Sequence, residues 1–164
     1  MLHWNEPINT QAQQTFIETS WALNYDTITD LKKDADAVIV GTIRQVDSIE
    51  RGDHDLVFTN FLVDVQQDLH HRTSAPGTQI ILHQTGAADQ TQSVEVRDDP
   101  LFSVGDQVVL FLHEYNPGHY YVLGGPQGRF HIHNGTVQSL ESHIKSYSAP
   151  VSIDTFVAMV KAAK

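Results

Sequence analysis

Histidines are the residues of this chain best placed to do chemistry, and His131 and His133 make the densest pair, in Arg129-Phe-His-Ile-His. Side chains at i and i+2 of a strand share a face, the arrangement in which two imidazoles can ligate one Zn²⁺. Asn134-Gly135 follows at once, a strong signal for a two-residue hairpin turn. Such a turn pairs His133 with Thr136, Ile132 with Val137 and His131 with Gln138. It sets Phe130, Ile132 and Val137 on an inner face. Arg129, His131, His133, Thr136 and Gln138 fall on an outer, solvent-facing one. A divalent metal held by His131 and His133 would need a third ligand, from His113 or His119 brought round by folding, and would sit beside the Arg129 cation. The plainer reading, a hairpin with two solvent-facing histidines, outweighs the metal.

Other constellations are weaker. Asp47, Glu50, Asp53 and Asp55 form an acidic segment without the spacing of a Ca²⁺-binding EF-hand, so solvated charges are expected there. Asp98-Asp99-Pro100 reads as a turn. No Gly-x-Ser-x-Gly elbow is present. Gly124-Gly-Pro-Gln-Gly128 lacks the Lys-Ser/Thr of a phosphate loop, and a β-turn or bulge is expected. Phe58, Phe61, Phe102, Phe111, Tyr115, Tyr120, Tyr121 and Phe130 could stack on nucleobases. Most occupy inward or central positions without basic residues between them, which favours core packing.

Composition narrows the function classes. The chain has 164 residues, enough for one domain with a substantial core, and a net charge of −10. That charge opposes phosphate backbones and anionic membranes. Ten histidines would bring it towards zero in mildly acidic surroundings. Cysteine is absent, which excludes disulfides, thiolate metal sites and thiol nucleophiles. No apolar run is long enough to span a membrane as a helix. The first residues carry neither the basic nor the apolar region of a secretory leader. The protein is therefore expected either in the cytoplasm or outside it with a leader removed.

The positioning elements are mostly strands. Ala12, Phe16, Ile17, Trp21 and Leu23 suggest an amphipathic helix over 10–22. A short helix over Ile28–Asp34 is expected, capped by Thr27, with Lys32 and Lys33 suiting its C-terminal dipole. Strands are expected over 37–46, over 56–66 or beyond, and over 78–84. Polar loops are expected over 47–55 and 85–93, with a short edge strand at 94–96. Val38-Ile39-Val40 and 108–112 are apolar on both faces and should be central. Gly41 within the first strand implies a bulge, a bend or a close backbone approach. Strands over 106–113, 119–123, 129–133 and 136–140 complete the set. Ser152 caps a final helix reaching Ala163, with Ile153, Phe156, Val157 and Val160 as its apolar stripe.

The succession 35–43 (Ala-Asp-Ala-Val-Ile-Val-Gly-Thr-Ile), 63–69, 78–82, 99–112 and Gly124-Gly-Pro-Gln-Gly-Arg-Phe130 resembles uncharacterised bacterial secreted or lipid-anchored proteins with an OB-like barrel. More distantly it is similar to the netrin/tissue-inhibitor-of-metalloproteinase class. That class uses an N-terminal cysteine against the protease metal, and this chain has none, so protease inhibition by that route is not implied. The resemblance implies fold and an extracytoplasmic location. The expectation is one mainly-β domain: a five- or six-stranded OB-like barrel over 37–140, with a helical N-terminal extension over 1–36 and a C-terminal helical segment over 141–164. Its expected role is a non-enzymatic binding module at or outside the cell surface. The partner is a protein or another envelope component rather than nucleic acid. Loops 47–55, 85–98 and 113–129 are the expected contact surface, with His113, Tyr115, His119, Tyr120, Gln127 and Arg129 as candidate ligand-binding residues. The alternative is a metal-dependent protein or hydrolase using His113, His119, His131 and His133. No cofactor is expected beyond that metal.

Overall fold

The computed structural model describes residues 13–17, 24–72, 75–89, 91–140 and 150–164. In chain order these form β1 (Gln13–Ile17), α1 (Ile28–Asp34), β2 (Ala37–Arg51), β3 (Val57–His71), β4 (Gln79–Ala88), β5 (Gln92–Val96), β6 (Gln107–Asn116), β7 (His119–Val122), β8 (Arg129–His133), β9 (Thr136–Ser139), β10 (Val151–Ser152) and α2 (Ile153–Ala162). One-turn 3₁₀ helices occupy Asp53–Asp55 and Gly125–Gly128.

Five strands close a barrel. β2 pairs antiparallel with β3 and β6, β3 pairs with β4, and β7 joins β6 to β4, the last pairing being parallel. Beyond the barrel, β5 and β1 extend from β4, and β8, β9 and β10 extend from β6. Closure leaves apolar residues on both faces of the central strands. Ile39, Ile43, Phe61, Val63, Ile80, Leu82, Val108, Leu110 and Leu112 fill the interior. Val38, Val40, Val109, Phe111, Phe130 and Val137 point outward and are covered by Tyr25, Ile28 and Leu31 near the start, and by Phe156 and Val160 of α2. The doubly apolar runs at 38–40 and 108–112 therefore reflect a wall with core on either side.

Both helices form where capping and spacing expect them. The Thr27 hydroxyl accepts the Asp30 N–H at 3.0 Å, and the Ser152 hydroxyl accepts the Thr155 N–H at 3.2 Å. Lys32 does not stay with its own helix. Its ammonium donates to the Ala163 carbonyl at 2.7 Å and the Lys161 carbonyl at 3.2 Å, closing the C-terminal end of α2. Gly41 is a close approach as well as an irregularity: a Cβ there would meet the Asp64 carbonyl oxygen at 2.8 Å, and the β2–β3 register shifts beside it.

Several expectations are corrected. Residues 13–17 form a strand parallel to β5 instead of part of a helix; the rest of that expected helix lies outside the described residues. The side chains of β1 are mostly exposed, so no buried stripe selects a helical period, and the backbone of β5 offers a ladder instead. β2 continues to Arg51 through the first part of the expected loop at 47–55, the rest of which is a non-strand connection, and β4 continues to Ala88 through the start of the expected loop at 85–93. β5 has β4 on one side and β1 on the other, so it is not an edge strand. Of the expected C-terminal helical segment, 141–149 lie outside the described residues.

Candidate binding site

The site grows from a gap in the barrel wall. β7 and β8 share one edge of β6: β7 pairs over 112–116, and β8 pairs over 108–110. Only Ile81 and Leu82 of β4 meet β7, and β4 then diverges towards Thr85. Residues 99–102 fill the space that opens. Gln84 holds them, donating to the Pro100 carbonyl at 3.0 Å and the Asp99 carbonyl at 3.3 Å while accepting the Phe102 N–H at 3.1 Å.

Arg129 holds the same segment from the other side. Only 2% of its surface is exposed. One guanidinium nitrogen, Nη1, donates to Asp99 Oδ1 at 2.8 Å and to the Pro100 carbonyl, and the guanidinium carbon lies 3.8 Å from the Phe102 ring centroid. Nε and Nη2 donate to His131 Nε2 at 3.1 and 2.9 Å. That imidazole must be neutral, with its proton on Nδ1, because Nε2 accepts from a group that is always a donor. The outer, solvent-facing side assigned to the hairpin is thereby corrected at Arg129 and His131, whereas His133 and Gln138 are exposed as expected. The expected pairs, including His131 with Gln138, do form, but Phe130 and Val137 lie beneath α2 while Arg129 is buried against the 99–102 segment. At the expected turn the chain does turn, over Arg97 and Asp98, and Asp99 beside it is buried as an anchor while Asp98 and Pro100 stay exposed.

Burial governs the electrostatics of this group. It pushes the Asp99 carboxyl up despite the adjacent guanidinium, and it lowers the Arg129 pKa despite the adjacent carboxylate. His131 is lowered to about 4, by burial first and by Arg129 second. Its folded pKa thus lies below the unfolded value, so the unfolded chain takes up the proton first as pH falls. Stability should be full above pH 6.5 and decline towards pH 4, the loss from this residue being roughly 1–3 kcal/mol after allowance for partial solvent screening. Urea melts between pH 7.5 and 4 check this. His131→Gln, whose amide oxygen can still accept from Arg129, should flatten the slope; an unchanged slope would refute the assignment.

Outside this anchor the wall carries a run of rings. Phe58 of β3 stacks on His83 of β4 with centroids 4.7 Å apart, and His83 meets Tyr115 of β6 at 5.7 Å. Tyr115 lies nearly parallel to Tyr121 of β7 at 6.1 Å and also meets His119 at 6.1 Å; Tyr121 meets His113 at 4.8 Å. Tyr115 and Tyr121 are 39% and 41% exposed. Polar groups flank the rings. His83 Nδ1 is 2.7 Å from Asn60 Oδ1, Asn60 donates to the Ser48 hydroxyl at 3.0 Å, and His113 Nδ1 is 2.9 Å from Asp36 Oδ2. Burial lowers the His83 pKa, opposed by the Glu50 carboxylate nearby.

A cleft of about 170 Å³ opens beside the rings, lined by His83, Gln84, Thr85, Asp99, Phe102, Tyr121, Val122 and Gly125. Ring run and cleft thus adjoin, sharing His83 and Tyr121.

Of the candidate residues, His113, Tyr115 and His119 come together on this face. Tyr120 turns into the barrel, where burial and the nearby Glu114 carboxylate hold its phenol protonated. Gln127 is buried in the glycine-rich turn and accepts the Tyr25 N–H at 2.9 Å through Oε1. Arg129 is the internal anchor just described. Gly128 permits that turn, since a Cβ there would overlap the Leu123 carbonyl oxygen. His131 and His133 stack with centroids 6.4 Å apart, but His131 Nε2 faces a guanidinium. Among the described residues no three His, Asp or Glu side chains converge as a metal site. Phe58, His83 and Tyr121 were missed as surface residues. The strand alternation places Phe58 on the face of β3 opposite Phe61, and that was the available signal.

No protein-family model matches the chain, and no curated protein matches it.

Proposed function

We propose that this chain is an OB-like binding module whose recognition surface is the ring-lined wall formed by β3, β4, β6 and β7. The observation that carries this reading is the run of rings from half-buried Phe58 and His83 through exposed Tyr115 and Tyr121 to half-buried His113. Rings with an apolar face and a polar edge concentrate contact energy at recognition surfaces, at a low cost in conformational entropy. The closing parallel pair β4–β7 and the position of the rings on the barrel wall support the OB-like reading. Net charge of −10, with Glu50 and Asp36 bordering the rings, favours a neutral or positively charged partner over nucleic acid. The partner is a protein or another cell-envelope component, and the location is extracytoplasmic. The sequence resemblance to secreted barrel proteins supports that placement.

The test passes envelope and culture-fluid fractions of the source organism over immobilised protein and identifies the retained component by mass spectrometry. Tyr115→Ala/Tyr121→Ala should weaken retention at least about tenfold, the scale of two partly buried aromatic contacts. Both side chains are partly exposed, so the melting temperature should change little. Equal retention by the double variant would overturn the reading.

A further inference from the structure

We propose that the cleft between β4 and β7 binds an alkylammonium group. This rests on the reading of the ring-lined wall as a recognition surface and adds the chemistry of one subsite on it.

The cleft combines aromatic walls with a buried carboxylate residue. His83 and Tyr121 belong to the partly exposed ring run, and Phe102 lies on the segment that plugs the gap. Asp99 and Gln84 line the same space with 7% and 5% of their surface exposed. Its volume of about 170 Å³ falls below the several hundred Å³ of pockets that enclose a whole organic ligand, so it suits one headgroup or the end of one side chain.

Charge selects among such groups. The cleft lining contains no Lys or Arg. The nearest described cation, Arg129, is paired with Asp99 and lies in the field of Asp106 and Glu95 as well. Glu50 also approaches His83, with 3.9 Å between Oε2 and Nδ1. An anion would enter against this surplus of carboxylates. A bare metal ion would need six or more oxygen ligands in the case of Ca²⁺, whereas the side-chain oxygens of the lining are those of Asp99, Gln84, Thr85 and Tyr121, and Asp99 is already paired with Arg129. An alkylammonium spreads its charge over apolar carbons. It matches the ring faces and the acidic surroundings, in which Asp99 itself stays paired with Arg129, and such cations are attracted to aromatic faces.

The test is amide-resolved NMR on the full chain at constant ionic strength and neutral pH. One titration uses choline chloride and the other uses 3,3-dimethylbutan-1-ol, which has the same shape without the charge. Choline should give saturable shifts at Thr85, Val122 and Gly125, and the neutral isostere should bind at least about fivefold more weakly. Tyr121→Leu should weaken choline binding by a similar factor. Equal binding of the two probes, or shifts confined to residues away from the cleft, would overturn the proposal. Competition by Nα-acetyl-lysine methylamide identifies the source. Displacement at comparable concentration assigns the cation to a protein side chain. Retention of choline against it assigns a quaternary headgroup. The two readings fail separately. Partner retention lost in Tyr115→Ala/Tyr121→Ala without choline shifts would remove the cleft and keep the wall. Choline shifts with undiminished retention would do the reverse.

Discussion

Arg129→Met should destabilise the protein by about 3–5 kcal/mol, the scale for removing one partner of a buried ion pair. The loss would come less from the missing attraction than from what remains. Asp99 would keep a buried carboxylate without its 2.8 Å partner, His131 Nε2 would lose its donor, and the Pro100 carbonyl would keep Gln84 alone. Burial already pushes the Asp99 carboxyl up with Arg129 present. Without it the folded pKa should rise further, so folded Asp99 would hold its proton over a wider pH range than the unfolded chain does. Stability of the variant relative to wild type should therefore be recovered towards low pH and lost as pH rises through that folded pKa. Denaturant melts at several pH values check both size and sign. Adding Asp99→Asn to Arg129→Met should recover part of the loss, because the stranded charge is then gone. Additive losses in the double variant would show that the pair does not act as a unit.

The second large effect is expected outside the barrel. Phe156→Ala should cost about 3–5 kcal/mol, typical for truncating a fully buried phenylalanine. Phe156 is completely buried and meets Phe130 with ring centroids 4.9 Å apart, and Phe130 in turn meets Phe111 of β6 at 5.7 Å. Removing it opens a cavity in the layer between α2 and the wall. Amide hydrogen exchange should then accelerate in α2 more than in β2 and β3, because the interior cluster around Ile39, Phe61 and Leu110 contains no residue of α2. Uniform acceleration throughout the chain would instead mean that the outer layer and the barrel unfold as one unit.

Much of the fold is legible residue by residue. Thr27 and Ser152 announce their helices through hydroxyls that cap the backbone locally. Asn134-Gly135 sets the hairpin register, since a two-residue turn leaves little freedom in which residues pair. The failures are equally specific. The 47–55 segment reads as a loop because its side chains are polar, yet β2 runs through Arg51 with its side chains exposed and its backbone paired to β3. Backbone pairing leaves no mark on side-chain polarity when both faces are wet. The candidate site was legible in part: His113, Tyr115 and His119 were singled out, whereas Phe58, His83 and Tyr121 came into view only once four strands lay side by side.

By itself the sequence determined the class of fold, the central strands, both described helices and the acidic character that weighs against nucleic acid, because periodicity, caps, turn residues and charge are properties of neighbouring residues. Tertiary structure decided which side of each strand is inside. Alternation on the β8–β9 hairpin separates Phe130 and Val137 from Arg129 and His131 but cannot say which set meets water. Here neither set does so fully, since α2 covers one and the 99–102 segment covers Arg129 on the other. The Asp99–Arg129 pair spans 30 residues of chain, and the ring run draws on β3, β4, β6 and β7. Contacts over such separations exist only after the barrel has closed, and no local pattern encodes them.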